Sequence, residues 1–173
     1  MEETLIMLPG PTQVPERILK AMSRSMINHR GAAFEKLYAE LAEGLKYFFQ
    51  TEKNDVYPLT ASGTGAVECA ALNLVEHGDK VIVPTCGEFS ERLAEAFERA
   101  GAKIVHPKFE LGTPINPSII EAALDSNKDT KIVAFVYNET ATGVRNPAEE
   151  LIKLSKSHGA LVVCDAISNL GGD

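Results

Sequence analysis

The segment Ala61-Ser62-Gly63-Thr64-Gly65-Ala66 constrains this chain more than any other, because small residues alone separate an apolar run from a helical pattern. The run before it, Asp55-Val56-Tyr57-Pro58-Leu59-Thr60, reads as a short strand. After it, Val67, Ala70, Ala71, Leu74 and Val75 recur at helical spacing as far as Gly78. A strand that turns through small residues into a helix leaves backbone N–H groups unpaired at the positive end of the helix dipole. Such a turn is a ready seat for a phosphate. Gly63 and Gly65 would let an anion approach the main chain, and Ser62 and Thr64 add hydroxyl donors. The same residues also suit a plain turn that lets a helix pack on a sheet. A short Gly-rich turn does not separate these two readings.

Downstream the pattern alternates. Lys80-Val81-Ile82-Val83-Pro84, Lys103 to His106, Lys131 to Tyr137 and Leu161 to Cys164 read as strands. Between them lie helices, one capped by Ser90 and ending at Gly101, and two opened by the cap-and-proline pairs Asn116-Pro117 and Asn146-Pro147. His158-Gly159 closes the last of these. Nearly continuous β-branched runs separated by helices predict an α/β fold with a mostly parallel sheet flanked by helices on both faces. Upstream, Pro15 opens a short helix through Met22. A longer helix follows with Phe34, Leu37, Leu41, Leu45 and Phe48 on one face, a stripe that suits a core or a subunit interface.

A net charge of −7 argues against nucleic acid and anionic membranes as partners, since both select a basic face. No apolar run reaches the length of a membrane span, and the first residues lack a signal-peptide plan. Cys69, Cys86 and Cys164 are odd in number and without metal-ligand spacing, so they read as buried thiols in a reducing cytoplasm. The four histidines show no ligand spacing either, and no metal site is expected.

Ligands of open parallel sheets sit beyond the carboxyl ends of the strands. Four predicted strands deliver chemistry there: Ser62-Gly63-Thr64, Thr85-Cys86-Gly87-Glu88-Phe89, Tyr137-Asn138-Glu139-Thr140-Ala141-Thr142-Gly143 and Asp165. Singly, Asp165 suits a helix cap, Phe89 core filling and Thr140 a turn hydroxyl. Together at one edge they point to a binding site.

These residues resemble the N-terminal part of a class V aminotransferase, a pyridoxal-phosphate enzyme of the aspartate-aminotransferase fold (fold type I). The nearest likeness is to the alanine–glyoxylate and serine–glyoxylate (serine–pyruvate) group. The resemblance is carried by Pro9-Gly10-Pro11-Thr12, His29-Arg30, Ser62-Gly63-Thr64-Gly65-Ala66 with Glu68, and Asn73-Leu74. It continues through His77-Gly78-Asp79-Lys80-Val81, Gly87-Glu88-Phe89, Asn138 to Gly143, and Asp165 to Gly172. It implies that Ser62, Gly63 and Thr64 hold the phosphate of pyridoxal 5'-phosphate. By the same resemblance Phe89 stacks on the pyridine ring, Thr140 meets the ring hydroxyl, Ile167 packs on the opposite face and Asp165 pairs with the ring nitrogen. No role follows for His29 or Arg30.

The resemblance also implies an organisation. Residues 1–50 form an N-terminal segment and long helix at the interface margin. Residues 51–173 form an incomplete cofactor-binding large domain that stops before the family's Schiff-base lysine, and the small C-terminal domain lies outside the chain. The implied partners are a small amino acid, a 2-oxo acid, and a second copy or a complementary chain that carries the lysine. The alternative is a non-catalytic cofactor-binding or assembly protein. A nicotinamide-dependent dehydrogenase is disfavoured because the first turn is not G-x-G-x-x-G. A cysteine desulfurase relative shares the fold, but its reactive loop would fall outside the chain.

Overall fold

The computed structural model describes residues 5–172, which fall into two compact units, Met1–Thr60 and Ala61–Asp173. The first carries α1 (Glu16–Met22) and α2 (Ala32–Phe48). Pro15 stands at the N-cap of α1, where its missing N–H costs nothing. None of the described residues 5–60 is buried. The stripe on α2 therefore does not line a core: Leu37, Leu41 and Phe48 are all exposed.

The second unit holds α3 (Gly63–Leu74), β1 (Lys80–Ile82), α4 (Glu88–Arg99), β2 (Lys103–Val105), α5 (Pro117–Ser126) and β3 (Thr130–Val136). These are followed by a hairpin of β4 (Asn138–Glu139) and β5 (Val144–Arg145), then α6 (Ala148–Ser157) and β6 (Leu161–Asp165). The sheet order is β2-β1-β3-β6, and every pair is parallel. Alternation along the two inner strands supplies both faces. Val81, Val83, Ile132, Ala134 and Val136 pack with Leu93 and Phe97 of α4 and Ala71 of α3. Ile82, Val133 and Phe135 pack on the other face with Ile120 and Leu124 of α5 and Leu151 of α6. From β1 the chain steps outward to β2, then returns across β1 to β3 and continues to β6. The winding reverses between β1 and β3, so the crevice of such a sheet opens at their carboxyl ends.

Several expectations need correction. Residues 55–60 form no strand: Pro58 has no N–H for a ladder, and Tyr57 and Leu59 are exposed. β1 stops at Ile82 because Pro84 interrupts it, although Thr85 still bridges Lys108 beyond β2. Ser90 is not the N-cap of α4. Gly87 is, and Ser90 at N3 accepts the N–H groups of Cys86 and Gly87, both at 3.0 Å. Asn116 caps α5 as expected, its Oδ1 accepting from Ser118. The matching pair does not repeat this, since Pro147 is the N-cap of α6 and Asn146 is buried. Of the three cysteines only Cys86 is buried; Cys164 is exposed because β6 is an edge strand with one neighbour. Among the described residues no helix is long and apolar enough to cross a membrane.

Asn146 joins three segments. Its Nδ2 donates to Val136 O at 2.8 Å, and its Oδ1 accepts from Ile115 N at 2.9 Å. It also lies against Cys86 Sγ, with Nδ2 at 3.5 Å. Removing the amide would orphan a buried N–H and a buried carbonyl, each worth about 1–3 kcal/mol. Asn146→Ala is therefore expected to lower the stability of the second unit by about 2–4 kcal/mol. Urea denaturation followed by circular dichroism checks this as a lower midpoint at unchanged slope.

At the amino edge of the sheet Lys131 Nζ meets Asp79 Oδ2, and Lys80 Nζ meets Asp129 Oδ1, each at 2.6 Å. The hydrogen bond from Lys131, then the N–H of Glu76, hold the Asp79 carboxyl below its ordinary value. A depressed carboxyl stabilises the fold above its unfolded pKa, and that contribution disappears as pH falls through the native value. Asp79→Asn should flatten the acid decline in stability within that window, measurable by thermal melts at a series of acidic pH values.

Candidate active site

Parallel pairing puts the carboxyl ends of β1, β3 and β6 at one edge, and the candidate residues follow those ends. Asp165 is the last residue of β6, paired in register with Val136 of β3. Tyr137 N–H donates to Asp165 O at 2.8 Å, so the strand leading to Thr140 is fixed beside it. Past β6, Ile167 N–H donates to Asp165 Oδ1 at 3.0 Å, and Ser168 Oγ donates to Asn138 O at 3.0 Å. Among the described residues Asp165 Oδ2 takes no side-chain hydrogen bond, so one carboxylate oxygen remains open.

The turn into α3 joins this group through Ile167. A Cβ at Gly63 would overlap Ile167 Cδ1, so Ile167 rests directly on the backbone of the first turn of the helix. Ser62 is the N-cap, its Oγ accepting from Gly65 N at 3.3 Å. That bond uses a lone pair and leaves the hydroxyl proton free to donate. Among the described residues the N–H groups of Gly63 and Thr64 make no hydrogen bond. Free amides, a free hydroxyl proton and the positive end of a three-turn helix fit an anion.

Phe89 lies in the first turn of α4, 38% exposed, with the Arg92 guanidinium 5.4 Å from its ring centroid. Glu88 holds that guanidinium at 2.9 Å. Phe89 is bound to the same edge through Glu139, whose Oε1 accepts its N–H at 3.2 Å. Thr140 is half-buried and follows Glu139 directly. All seven candidates thus lie in the second unit and are joined by contacts that run from Gly63 through Ile167, Asp165 and Ser168 to Asn138, Glu139 and Phe89. Ile167 is 66% exposed. His29 lies in the first unit, in an open groove with Phe34 and Tyr38.

Residue-type reasoning passed over two members of this group. Glu139 stood inside the Asn138–Gly143 motif without a role, and Ser168 likewise in the final one. A glutamate three residues past the buried run Ile132 to Val136 was the available signal for the first. Nothing in the sequence announces that Ser168 reaches Asn138.

The model of the aminotransferase class-V family matches residues 6–173. This chain belongs to that family. Among curated relatives of the class V chain, an uncharacterised aminotransferase of Methanocaldococcus jannaschii is 39% identical, matching 98% of this chain and 44% of its own length. A protein described as the soluble hydrogenase small subunit of a Synechococcus species is 37% identical, with 98% and 45% covered. The serine–glyoxylate aminotransferase of Methylorubrum extorquens is 36% identical, with 96% and 42% covered. The crystal structure of ureidoglycine–glyoxylate aminotransferase from Bacillus subtilis superposes with a TM-score of 0.92 at 32% identity, covering 96% of this chain and 43% of that one. The class V chain therefore spans less than half the length of the relatives it matches, and the α/β fold with helices on both faces of a parallel sheet is theirs.

Ser62→Ala removes both the helix cap and the free hydroxyl proton. It is expected to cost about 1 kcal/mol of stability and to weaken inorganic phosphate binding, checked by thermal melts with and without phosphate.

Proposed function

We propose that this chain is the cofactor-holding part of a pyridoxal-phosphate-dependent aminotransferase. The reaction moves an amino group from a small amino acid such as alanine or serine to a 2-oxo acid such as glyoxylate or pyruvate. The observation that carries the reading is the meeting, at one sheet edge, of an anion seat, an aromatic plate and a carboxylate with one open oxygen. The serine–glyoxylate and ureidoglycine–glyoxylate relatives support the donor and acceptor classes.

In this reading Ser62, Gly63 and Thr64 bind the phosphate, Phe89 and Ile167 flank the ring, and Thr140 donates or accepts at the ring hydroxyl. When bound, pyridoxal phosphate supplies the electron sink for charge that develops at the substrate Cα. Asp165 keeps a proton on the ring nitrogen, an effect of about 1–3 pK units for a carboxylate at that range. Phe89 contributes about 0.5–1.5 kcal/mol of stacking beyond its area. The helix start holds the phosphate still while the reacting carbon changes partners. None of the lysines at the sheet serves as the Schiff-base residue: Lys80, Lys103 and Lys131 stand at the starts of their strands, and Lys80 and Lys131 are engaged there in ion pairs. That lysine and the substrate-carboxylate arginine come from outside this stretch.

Residues 51–173 then form the cofactor-binding domain, and residues 1–50 the margin that faces a second copy or a complementary chain. Exposed apolar side chains along α1 and α2 support that assignment. Three free cysteines fit a reducing compartment, and we place the protein in the cytoplasm.

The test uses the protein in its native assembly, supplied with pyridoxal phosphate, alanine or serine, and glyoxylate. A keto acid is the expected product, and borohydride should fix the cofactor covalently. Free release of the cofactor after borohydride, with no turnover, would replace this reading with that of a non-catalytic binder. Asp165→Asn should lower turnover about 10- to 1000-fold, since each pK unit of ring protonation is worth about 1.4 kcal/mol.

A further inference from the structure

The most heavily bonded polar group at this edge is not one of the residues that face the cofactor in the proposed reading. Glu139 is completely buried. Its Oε1 accepts the N–H of Phe89 at 3.2 Å and of Ala141 at 3.3 Å. Its Oε2 accepts the N–H of Ser90 at 2.9 Å and lies 2.9 Å from Ser90 Oγ, whose one proton is shared between this carboxylate and Gly87 O at 2.8 Å. A buried carboxylate is costly unless its lone pairs are filled, and here four donors fill them, three from the first turn of α4 and one from Ala141. The space is cleared by Gly87, where a Cβ would overlap Glu139 Cγ and lie 2.5 Å from Cδ. Gly87 has extended backbone, so the demand there is for room and not for a special conformation.

These donors come from the two segments that carry Phe89 and Thr140. Phe89 N–H is the backbone of the aromatic plate, and Ala141 N–H is the residue after Thr140. The carboxylate therefore joins the turn that presents the ring of Phe89 to the turn that presents the hydroxyl of Thr140, beyond the carboxyl ends of the paired strands β1 and β3. No hydrogen bond among the described residues links those two turns by another side chain of β4.

We propose that Glu139 is a positioning residue that fixes the spacing of Phe89 and Thr140, and so the slot that receives the cofactor ring, without touching the ring. The proposal rests on the cofactor reading above. Its consequence is selective. The phosphate seat at Ser62–Thr64 is built by α3 and does not use the Glu139 carboxylate, so loosening Glu139 impairs ring binding and spares phosphate binding.

Glu139→Gln keeps the shape but turns an NH2 group toward donors, breaking two of the four bonds. Gly87→Ala keeps the charge but pushes the side chain out of its place. Each variant, in the native assembly, is titrated with pyridoxamine 5'-phosphate and separately with inorganic phosphate, and the induced circular dichroism of the bound ring is recorded. Both variants are expected to bind pyridoxamine 5'-phosphate about three- to tenfold more weakly, the worth of one aromatic contact, with a reduced ring signal. Phosphate binding should be unchanged. Equal weakening for both ligands would mean a merely structural role and overturn the proposal, as would unchanged ring binding and signal. If Glu139→Gln does not fold, Gly87→Ala decides on the same criterion. An unaltered protein that binds phosphate but gives no ring signal with pyridoxamine 5'-phosphate would sink the cofactor reading itself, a result distinct from either of those.

Discussion

The structure depends on β3 lying between β1 and β6 with apolar cover on both faces. Val133 and Phe135 turn to one helical layer, and Ile132, Ala134 and Val136 to the other. Burying each of the larger side chains contributes roughly 1.5–3 kcal/mol, so a slip by one residue would set the wrong side chains against each layer. With that register held, the chain leaving β3 must emerge between the ends of β1 and β6. Tyr137, Asn138 and Glu139, which bond to Asp165, Ser168 and Phe89, leave from that exit.

Two carboxylates lie close to that exit, and their surroundings give them different work. Glu139 has both oxygens filled by donors from α4 and from its own turn, and no solvent reaches it. Its charge is satisfied by the protein itself. Asp165 accepts one backbone N–H and keeps the other oxygen open. A group saturated by the fold fixes geometry, whereas a group with an open oxygen can serve a ligand. The distinction rests on partners and not on residue type, since both are acids at the end of a strand.

Much of the second unit was legible because its signals are local. β-branched runs, the Asn116-Pro117 start of α5 and the small-residue turn into α3 each report their own surroundings. The failures are places where tertiary contacts decide. Asn146-Pro147 looks like another cap, but the asparagine is drawn inward to satisfy Val136 and Ile115. Ser90 looks like a cap, but at N3 its hydroxyl reaches back to Gly87 and meets the buried Glu139 carboxylate. The apolar run before Ala61 has strand composition, yet Pro58 and the lack of a paired neighbour leave it irregular. The site follows the same rule: strand ends announced Phe89, Thr140 and Asp165, while Glu139 gains its meaning only from residues 49 and 50 positions earlier.

The buried amide of Asn146 has a bearing on the order in which this unit is built during synthesis. Its partners near Cys86 and Ile115 precede it by 60 and 31 positions. Those two loops leave the ribosome long before the group that satisfies them exists. Closing such a long loop costs entropy that only the finished contact returns. Helices α4 and α5 can therefore form early, but the connections around them become native late, when residue 146 arrives and locks all three at once.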